Sequence, residues 1–207
     1  MTPSEPARSV EVELKFDVDA DTALPELGEL PGVAVVTAGE VRDLDARYYD
    51  TAEFALAHRG FALRRRTGGP DAGWHLKGPL RAGGRTETQW PLGEPGEVPA
   101  AVREELARVV DASLPALQPI ARIRNRRVAV QLRDAAGGML AEFADDHVLA
   151  RDERTRMERR WREWEFELGP AAPADRRPLF EAFARSAAAA GARPASSASK
   201  LARALGL

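Results

Sequence analysis

Val10, Val12, Leu14 and Phe16 alternate with Glu11, Glu13 and Lys15, so an extended strand here carries four apolar side chains on one face and three charged ones on the other. The pattern returns in Glu163-Trp164-Glu165-Phe166-Glu167-Leu168, and again in Glu142-Phe143-Ala144-Asp145-Asp146, which puts Glu142 and Asp146 in phase. Carboxylates two residues apart on one face repel unless cations or metal ions lie between them. Counter-charge recurs with the same period. Arg64 and Arg66 share a face, as do His75 and Lys77, Arg85 and Glu87, and the trio Arg122, Arg124 and Arg126. If the apolar faces pack outward against helices, the charged faces look into an enclosed space. About eight strands close the smallest barrel with a usable interior. The predicted fold is therefore α+β, a closed eight-stranded antiparallel β-barrel with helices packed outside.

Lysine sharpens the pattern. It occurs only at Lys15, Lys77 and Lys200, leaving 27 arginines among the 30 basic residues. An ammonium is compact and flexible where a guanidinium is planar and forked, so three lysines in an arginine-rich chain mark places that need a point charge. An arginine-biased composition alone gives the same count. The neighbours of each lysine single it out: Glu11-Val12-Glu13-Leu14-Lys15, Trp74-His75-Leu76-Lys77 and Ser199-Lys200.

With 207 residues and 44% hydrophobic content, the chain suits one large domain, expected to cover residues 1–207 with 1–9 as a loose lead. The net charge is −2, so no basic surface for sequence-specific nucleic-acid binding is announced. The absence of cysteine excludes disulfides, thiolate catalysis and cysteine metal sites. There is no secretory core in residues 1–8 and no long apolar run, which predicts a cytoplasmic location without membrane partners. Helices are predicted over 21–27, 52–59, 98–110, 178–190 and 197–205, and strands over most of the remainder. Gly68-Gly69-Pro70-Asp71 is predicted to be a hairpin loop.

Taken in order, the Glu-x-Glu-x-Lys start, Leu63-Arg64-Arg65-Arg66, Trp74-His75-Leu76-Lys77, Arg85-x-Glu87, Glu165-x-Glu167 and the terminal Ser-Lys resemble the CYTH domains, also called triphosphate tunnel metalloenzymes. The resemblance runs from Val10 to about Leu205 and is nearest to the CYTH half of bacterial proteins in which a helical CHAD domain follows. It implies an antiparallel eight-stranded tunnel that binds a di- or triphosphate with a divalent metal. It also implies one of the family's activities, which include inorganic triphosphatase, thiamine triphosphatase and adenylyl cyclase.

On that basis the substrate-binding cations are Lys15, Arg64, Arg66, Lys77, Arg85, Arg122, Arg124, Arg126 and Lys200. Lys15, Arg64, Arg66, Lys77 and Arg124 are the candidate catalytic groups. Guanidinium forks match pairs of phosphate oxygens, and ammonium groups add point charges between them. Phase places Arg122 and Arg126 beside Arg124, whereas the resemblance fixes mainly Arg124. Glu11, Glu13, Asp146, Glu165 and Glu167 are hard oxygen ligands for Mg²⁺ or Mn²⁺. Asp145 and Asp146 compete for one role, and the phase with Glu142 favours Asp146. His75 is expected to be an exposed or structural imidazole, Arg65 to lie outside the barrel, and Trp90, Trp161 and Trp164 to pack. The expected activity is metal-dependent hydrolysis of inorganic triphosphate or of a short polyphosphate end. The alternatives are a non-catalytic polyphosphate or nucleotide module, perhaps serving a CHAD domain in a longer chain, an adenylyl cyclase and a thiamine triphosphatase.

Overall fold

The computed structural model describes residues 6–81, 84–94, 96–111 and 113–207. Its elements are β1 (Ala7–Glu11), β2 (Glu13–Val18), β3 (Val35–Val36), β4 (Glu40–Asp50), α1 (Ala55–His58), β5 (Ala62–Thr67), β6 (Gly73–Arg81) and β7 (Gly84–Trp90). They continue with α2 (Ala100–Val109), β8 (Gln118–Arg133), β9 (Met139–Asp152), β10 (Glu158–Leu168), α3 (Arg177–Ala189), β11 (Arg193–Pro194) and α4 (Lys200–Leu205). No helix among the described residues is long and apolar enough to cross a membrane. Of the stretch expected to be a loose lead, residues 1–5 lie outside the described residues, and Ala7 to Ser9 already belong to β1.

All strand pairings are antiparallel, and the order is β1-β7-β6-β5-β4-β8-β9-β10-β2-β11, with β3 added on β8. The sheet curls so that one face becomes an interior. It is not the closed eight-stranded barrel that the alternation predicts. β1 pairs with β7, β2 pairs with β10 and β11, and the two ends are joined by the chain itself at Val12 rather than by a ladder. A one-residue break in one extended run changes which neighbour each half meets, and an alternating pattern carries no mark of that.

The apolar faces do pack outward. Phe16, Phe143, Trp164 and Phe166 from β2, β9 and β10 meet Leu179, Phe183 and Ala187 of α3 in one cluster. There the Phe166 and Phe183 rings stack with centroids 4.1 Å apart, and Phe16 meets Phe183 edge-on at 5.6 Å. Leu63, Trp74, Leu76 and Trp90 from β5, β6 and β7 are covered by Val102 and Leu106 of α2 and Leu56 of α1. Trp90 and Trp164 are thus packing residues, as expected. A third cluster has the opposite sense. Leu201, Ala204 and Leu205 of α4 pack on Ala46, Tyr48, Ala121, Ile123, Val148 and Ala150, with Trp161 partly buried beside them. Ala46 pairs with Ile123, Ile123 with Ala150, and Asn125 with Val148, so these residues lie on the concave face. Helix α4 therefore plugs one end of the curled sheet from within.

Two local details follow from side-chain chemistry. Asp50 is buried and accepts hydrogen bonds from the backbone N–H groups of Thr51, Leu56 and Ala57 at 2.7, 2.9 and 3.0 Å, which anchors α1 to the end of β4. The hairpin loop after β5 holds Gly68 at φ +77°, where a Cβ would collide with the carbonyl oxygen of Asp43, so only glycine lets the loop turn back over β4. The helix expected over 21–27 does not form. Pro25 interrupts it, and the segment instead inserts Leu27 and Leu30 into the α3 cluster while Ser186 donates to the Glu26 carbonyl at 2.7 Å.

Candidate functional site

Residues directly opposite each other on paired strands point to the same side of a sheet, so the register maps the interior. Around the sheet, Lys15 faces Glu165, Glu13 faces Glu167, and Glu167 faces Glu142. Asp146 lies between Arg127 and Glu163, Arg127 faces Arg42, Ala46 faces Arg66, and Tyr48 faces Arg64. Arg64 faces His75 and Lys77 faces Glu87. All of these side chains but Asp146, Glu163 and His75 line a cavity of about 250 Å³ whose wall also includes Glu11, Arg85, Ser199 and Lys200.

All three lysines enter this interior. Lys15 Nζ lies 2.5 Å from Glu165 and 3.0 Å from Glu13. Lys77 Nζ lies 2.6 Å from Glu11. Lys200 Nζ lies 2.8, 2.5 and 2.7 Å from Asp146, Glu163 and Glu165. Arg127 completes this group with a two-pronged bond to Asp146, at 2.8 and 2.7 Å, and a bond to the second oxygen of Glu165. Burial alone would raise the Glu165 carboxyl, but Lys15, Lys200 and Arg127 outweigh it and hold its pKa well below the usual range. Asp146, Glu163 and Glu165 bring oxygens within 4.8 Å of one another, yet the Lys200 ammonium already sits among them. In this arrangement that cluster is neutralised by organic cations.

Elsewhere the cavity is out of balance, in opposite senses on two sides. Glu167 stands beside Glu13 and near Glu11, and among the described residues it forms no ion pair. Burial and the charges of Glu11 and Glu13 push its carboxyl up to about 7. Glu11 and Glu13 are paired with Lys77 and Lys15, so Glu167 is the carboxylate of this trio left to a divalent cation, with Glu11 and Glu13 as the neighbouring oxygen ligands that would complete its hold. On the other side Arg64, Arg66 and Arg127 crowd one another. Burial and its two arginine neighbours push Arg66 down to about 9, although it meets Asp71 of the hairpin loop. The buried Nε–H groups of Arg42, Arg64 and Arg66 have no hydrogen-bond partner among the described residues. Among the described residues Arg64 makes only long polar contacts of 3.5 Å, to the Tyr48 hydroxyl and to Glu87.

The structure thus brings together Glu11, Glu13, Lys15, Arg64, Arg66, Lys77, Arg85, Asp146, Glu165, Glu167 and Lys200. It separates Arg122, Arg124 and Arg126 from them. Arg122 lies on the outer face, where it pairs with Asp45 at 3.0 Å, and Arg124 and Arg126 are exposed. Period two was right for β8 and the parity was wrong, because the concave face of this strand is apolar at the plugged end, where Ala121 and Ile123 meet α4. The inward series is Ala121, Ile123, Asn125 and Arg127, so Arg127 stands where Arg124 was expected.

Asp145 points the other way from Asp146, to Arg162 at 2.7 Å and the Trp164 indole at 3.1 Å. His75 is a structural imidazole. It is fully buried, its Nε2 lies 2.9 Å from the Asp71 carbonyl oxygen, and its Nδ1 lies 3.0 Å from Glu87. Arg65 is outside the cavity lining, as expected. Arg42, Glu87, Arg127, Glu142 and Glu163 join the interior without having been singled out as site residues. The Arg126-Arg127 doublet was the one available sign that β8 presents an arginine to each face.

A model of the CYTH domain matches residues 9–201. Two uncharacterized proteins of Mycobacterium tuberculosis, from strains CDC 1551 / Oshkosh and ATCC 25618 / H37Rv, are each 40% identical over 212 residues. The match takes in 97% of this chain but only 41% of the length of those relatives. Among solved structures, a Bacillus halodurans protein named as a candidate adenylate cyclase has a TM-score of 0.65 at 20% identity, covering 95% of this chain and 97% of that one. A Hippeastrum protein named as a candidate adenylyl cyclase with a dominant triphosphatase activity has a TM-score of 0.54 at 17% identity, covering 95% of each chain. The PH1819 protein of Pyrococcus horikoshii OT3 has a TM-score of 0.53 at 15% identity, covering 95% of this chain and 98% of that one. At such identities the likeness to these structures is one of fold.

Proposed function

Because the chain belongs to the CYTH-domain family, we propose that its cavity takes a linear phosphoric anhydride together with Mg²⁺ or Mn²⁺ and hydrolyses inorganic triphosphate, or the end of a short polyphosphate, to release phosphate. One observation carries this reading. Within a single interior Arg64 and Arg66 crowd beside Arg127 with buried Nε–H groups that have no partner among the described residues, while Glu167 stands against Glu11 and Glu13 with no ion pair of its own there. A polyphosphate with a divalent ion corrects both at once.

Guanidinium forks at Arg64 and Arg66, with ammonium groups at Lys15, Lys77 and Lys200, would hold the phosphate oxygens in a site where water screens little. The same cations would meet charge that shifts to a leaving phosphate. When bound, the divalent ion supplies charge neutralisation and activation of water. Among the described residues the lining holds one aromatic side chain, Tyr48, whose hydroxyl faces Arg64. That favours a ligand without a base over the nucleotide needed by a cyclase.

Phosphate release from inorganic triphosphate, ATP and thiamine triphosphate, assayed with Mg²⁺ or Mn²⁺, tests the proposal. Turnover of inorganic triphosphate in preference to the organic esters is the expected result. Binding without hydrolysis of any of the three would assign the chain to the non-catalytic modules, and cyclic AMP from ATP would assign it to the cyclases.

A further inference from the structure

On the outer side of the sheet, arginines stand opposite one another across four strands. Arg65 of β5 faces Arg47 of β4, Arg47 faces Arg122 of β8, and Arg122 faces Arg151 of β9. Neighbouring strands lie about 4.8 Å apart, so the row runs for about 14 Å. Like charges directly opposite each other weaken a sheet, and an anion laid along the row would relieve that repulsion. The two rows beside it repeat the sign, with Arg124 and Arg160 in one and Arg126 and Arg162 in the other. The clusters under α2 and α3 take up the apolar residues on either side, Tyr49 and Leu63 in one and Val130 and Phe143 in the other. Between them Arg47, Arg124, Arg126 and Arg160 stay exposed.

The acids of this face do not balance its cations. Asp45 takes Arg122 at 3.0 Å, Asp145 takes Arg162 at 2.7 Å, and Glu153 comes no nearer to Arg151 than 3.9 Å. The hydrogen bond from Arg122, with the charges of Arg124 and Arg47 behind it, holds the Asp45 carboxyl below its usual range, so one anion serves three guanidinium groups. Among the described residues Arg47, Arg65, Arg124, Arg126 and Arg160 form no ion pair, against Asp43 and Glu158 on the acidic side. At the two ends of the row the buried Nε–H groups of Arg65 and Arg151 have no hydrogen-bond partner there either. A chain whose net charge is −2 thus carries a locally basic face, and such a face attracts polyanions.

We infer that this outer face is a second binding surface, separate from the cavity, and that its ligand is a long linear polyphosphate lying across the arginine rows. Guanidinium forks match pairs of phosphate oxygens, and a chain with a negative charge on every phosphate bridges several arginines at once. The three rows hold no Phe, Tyr or Trp on which bases could stack, which favours an anion without bases over a single-stranded nucleic acid. None of these arginines lines the cavity, so the surface holds its ligand whether or not triphosphate is turned over inside.

Calorimetric titration with long-chain polyphosphate, in a protein whose cavity is weakened by Arg64→Ala, tests the surface. Binding should persist in that background, and adding Arg47→Glu and Arg124→Glu should raise the dissociation constant by about tenfold or more. Arg103→Glu with Arg185→Glu makes the same change of net charge at exposed positions of α2 and α3, and should leave the constant within about twofold. A cooperative thermal transition in each variant confirms that the fold is kept. The surface is refuted if Arg64→Ala alone abolishes long-chain binding, if the Arg47 and Arg124 changes leave it unaltered, or if the control pair weakens it as much. Tighter binding of single-stranded RNA or of polyglutamate through the same arginines would overturn polyphosphate as the ligand.

Discussion

Lys200 Nζ, in the first turn of α4, donates to Glu165 Oε1 on β10 at 2.7 Å, and Lys15 Nζ donates to the same oxygen at 2.5 Å. The plug helix is therefore fixed by charge as well as by Leu201 and Leu205. Glu165 is the hub of that arrangement, since Arg127 takes its other oxygen.

Glu165→Gln should be costly to the fold. It leaves Lys15, Lys200 and Arg127 buried with one anion fewer, and breaking a buried charge set from one side costs about 3–5 kcal/mol. Urea unfolding of wild type and variant measures this. A loss below about 1 kcal/mol would mean that Asp146 and Glu163 suffice to hold the three cations.

Glu167→Gln should behave in the opposite way. Its carboxyl sits near 7 in the fold and near 4.5 when unfolded, so between those values the folded state binds the extra proton. Stability of the metal-free protein therefore falls as pH rises from about 4.5 through about 7, by up to roughly 3 kcal/mol. The variant should lose this slope, be at least as stable as wild type at pH 8, and bind Mg²⁺ more weakly. Denaturant midpoints across that pH range check the sign. A midpoint that climbs with pH in the metal-free wild type would contradict the crowding of Glu11, Glu13 and Glu167.

Much of this site was legible in period-two alternation. Glu11, Glu13 and Lys15 on one strand, and Glu165 and Glu167 on another, needed no tertiary information to be assigned a common face. The three lysines were legible because every other basic position is arginine. What alternation does not carry is which face is inward, and on β8 the usual sign failed. Ile123 is apolar and inward because α4 reaches it, whereas Arg124 is charged and outward. Alternation also says nothing about where a strand changes neighbours, so the switch from β7 to β10 at Val12 was out of reach. The burial of His75 depends on Asp71 and Glu87, which the fold alone brings to it.

The parity of β8 can be tested directly. Arg127→Ala should weaken tripolyphosphate binding by about tenfold or more, as expected for loss of a charge-assisted partner, and Arg124→Ala should change it by less than about twofold. Calorimetric titration separates them. The reverse order would place Arg124 inside and overturn the assigned register.

The plug makes its own prediction. Leu201 is almost fully buried against Tyr48, Ile123 and neighbouring side chains, so Leu201→Ala should destabilise the protein by about 2–4 kcal/mol. It should also weaken phosphate binding, because Lys200 precedes it on the same turn. Stability loss with unchanged binding would show that Lys200 holds its place without α4 packing.

The most direct measurement is thermal unfolding of wild type and Arg64→Ala with inorganic tripolyphosphate, in the presence and absence of Mg²⁺. The charge split predicts that tripolyphosphate at a hundredfold excess over its dissociation constant stabilises wild type by about 2.7 kcal/mol. The gain at a given concentration should be larger with Mg²⁺ than without it, and most of it should be lost in the variant. An unchanged melting temperature in wild type at saturating tripolyphosphate and Mg²⁺ would contradict the account.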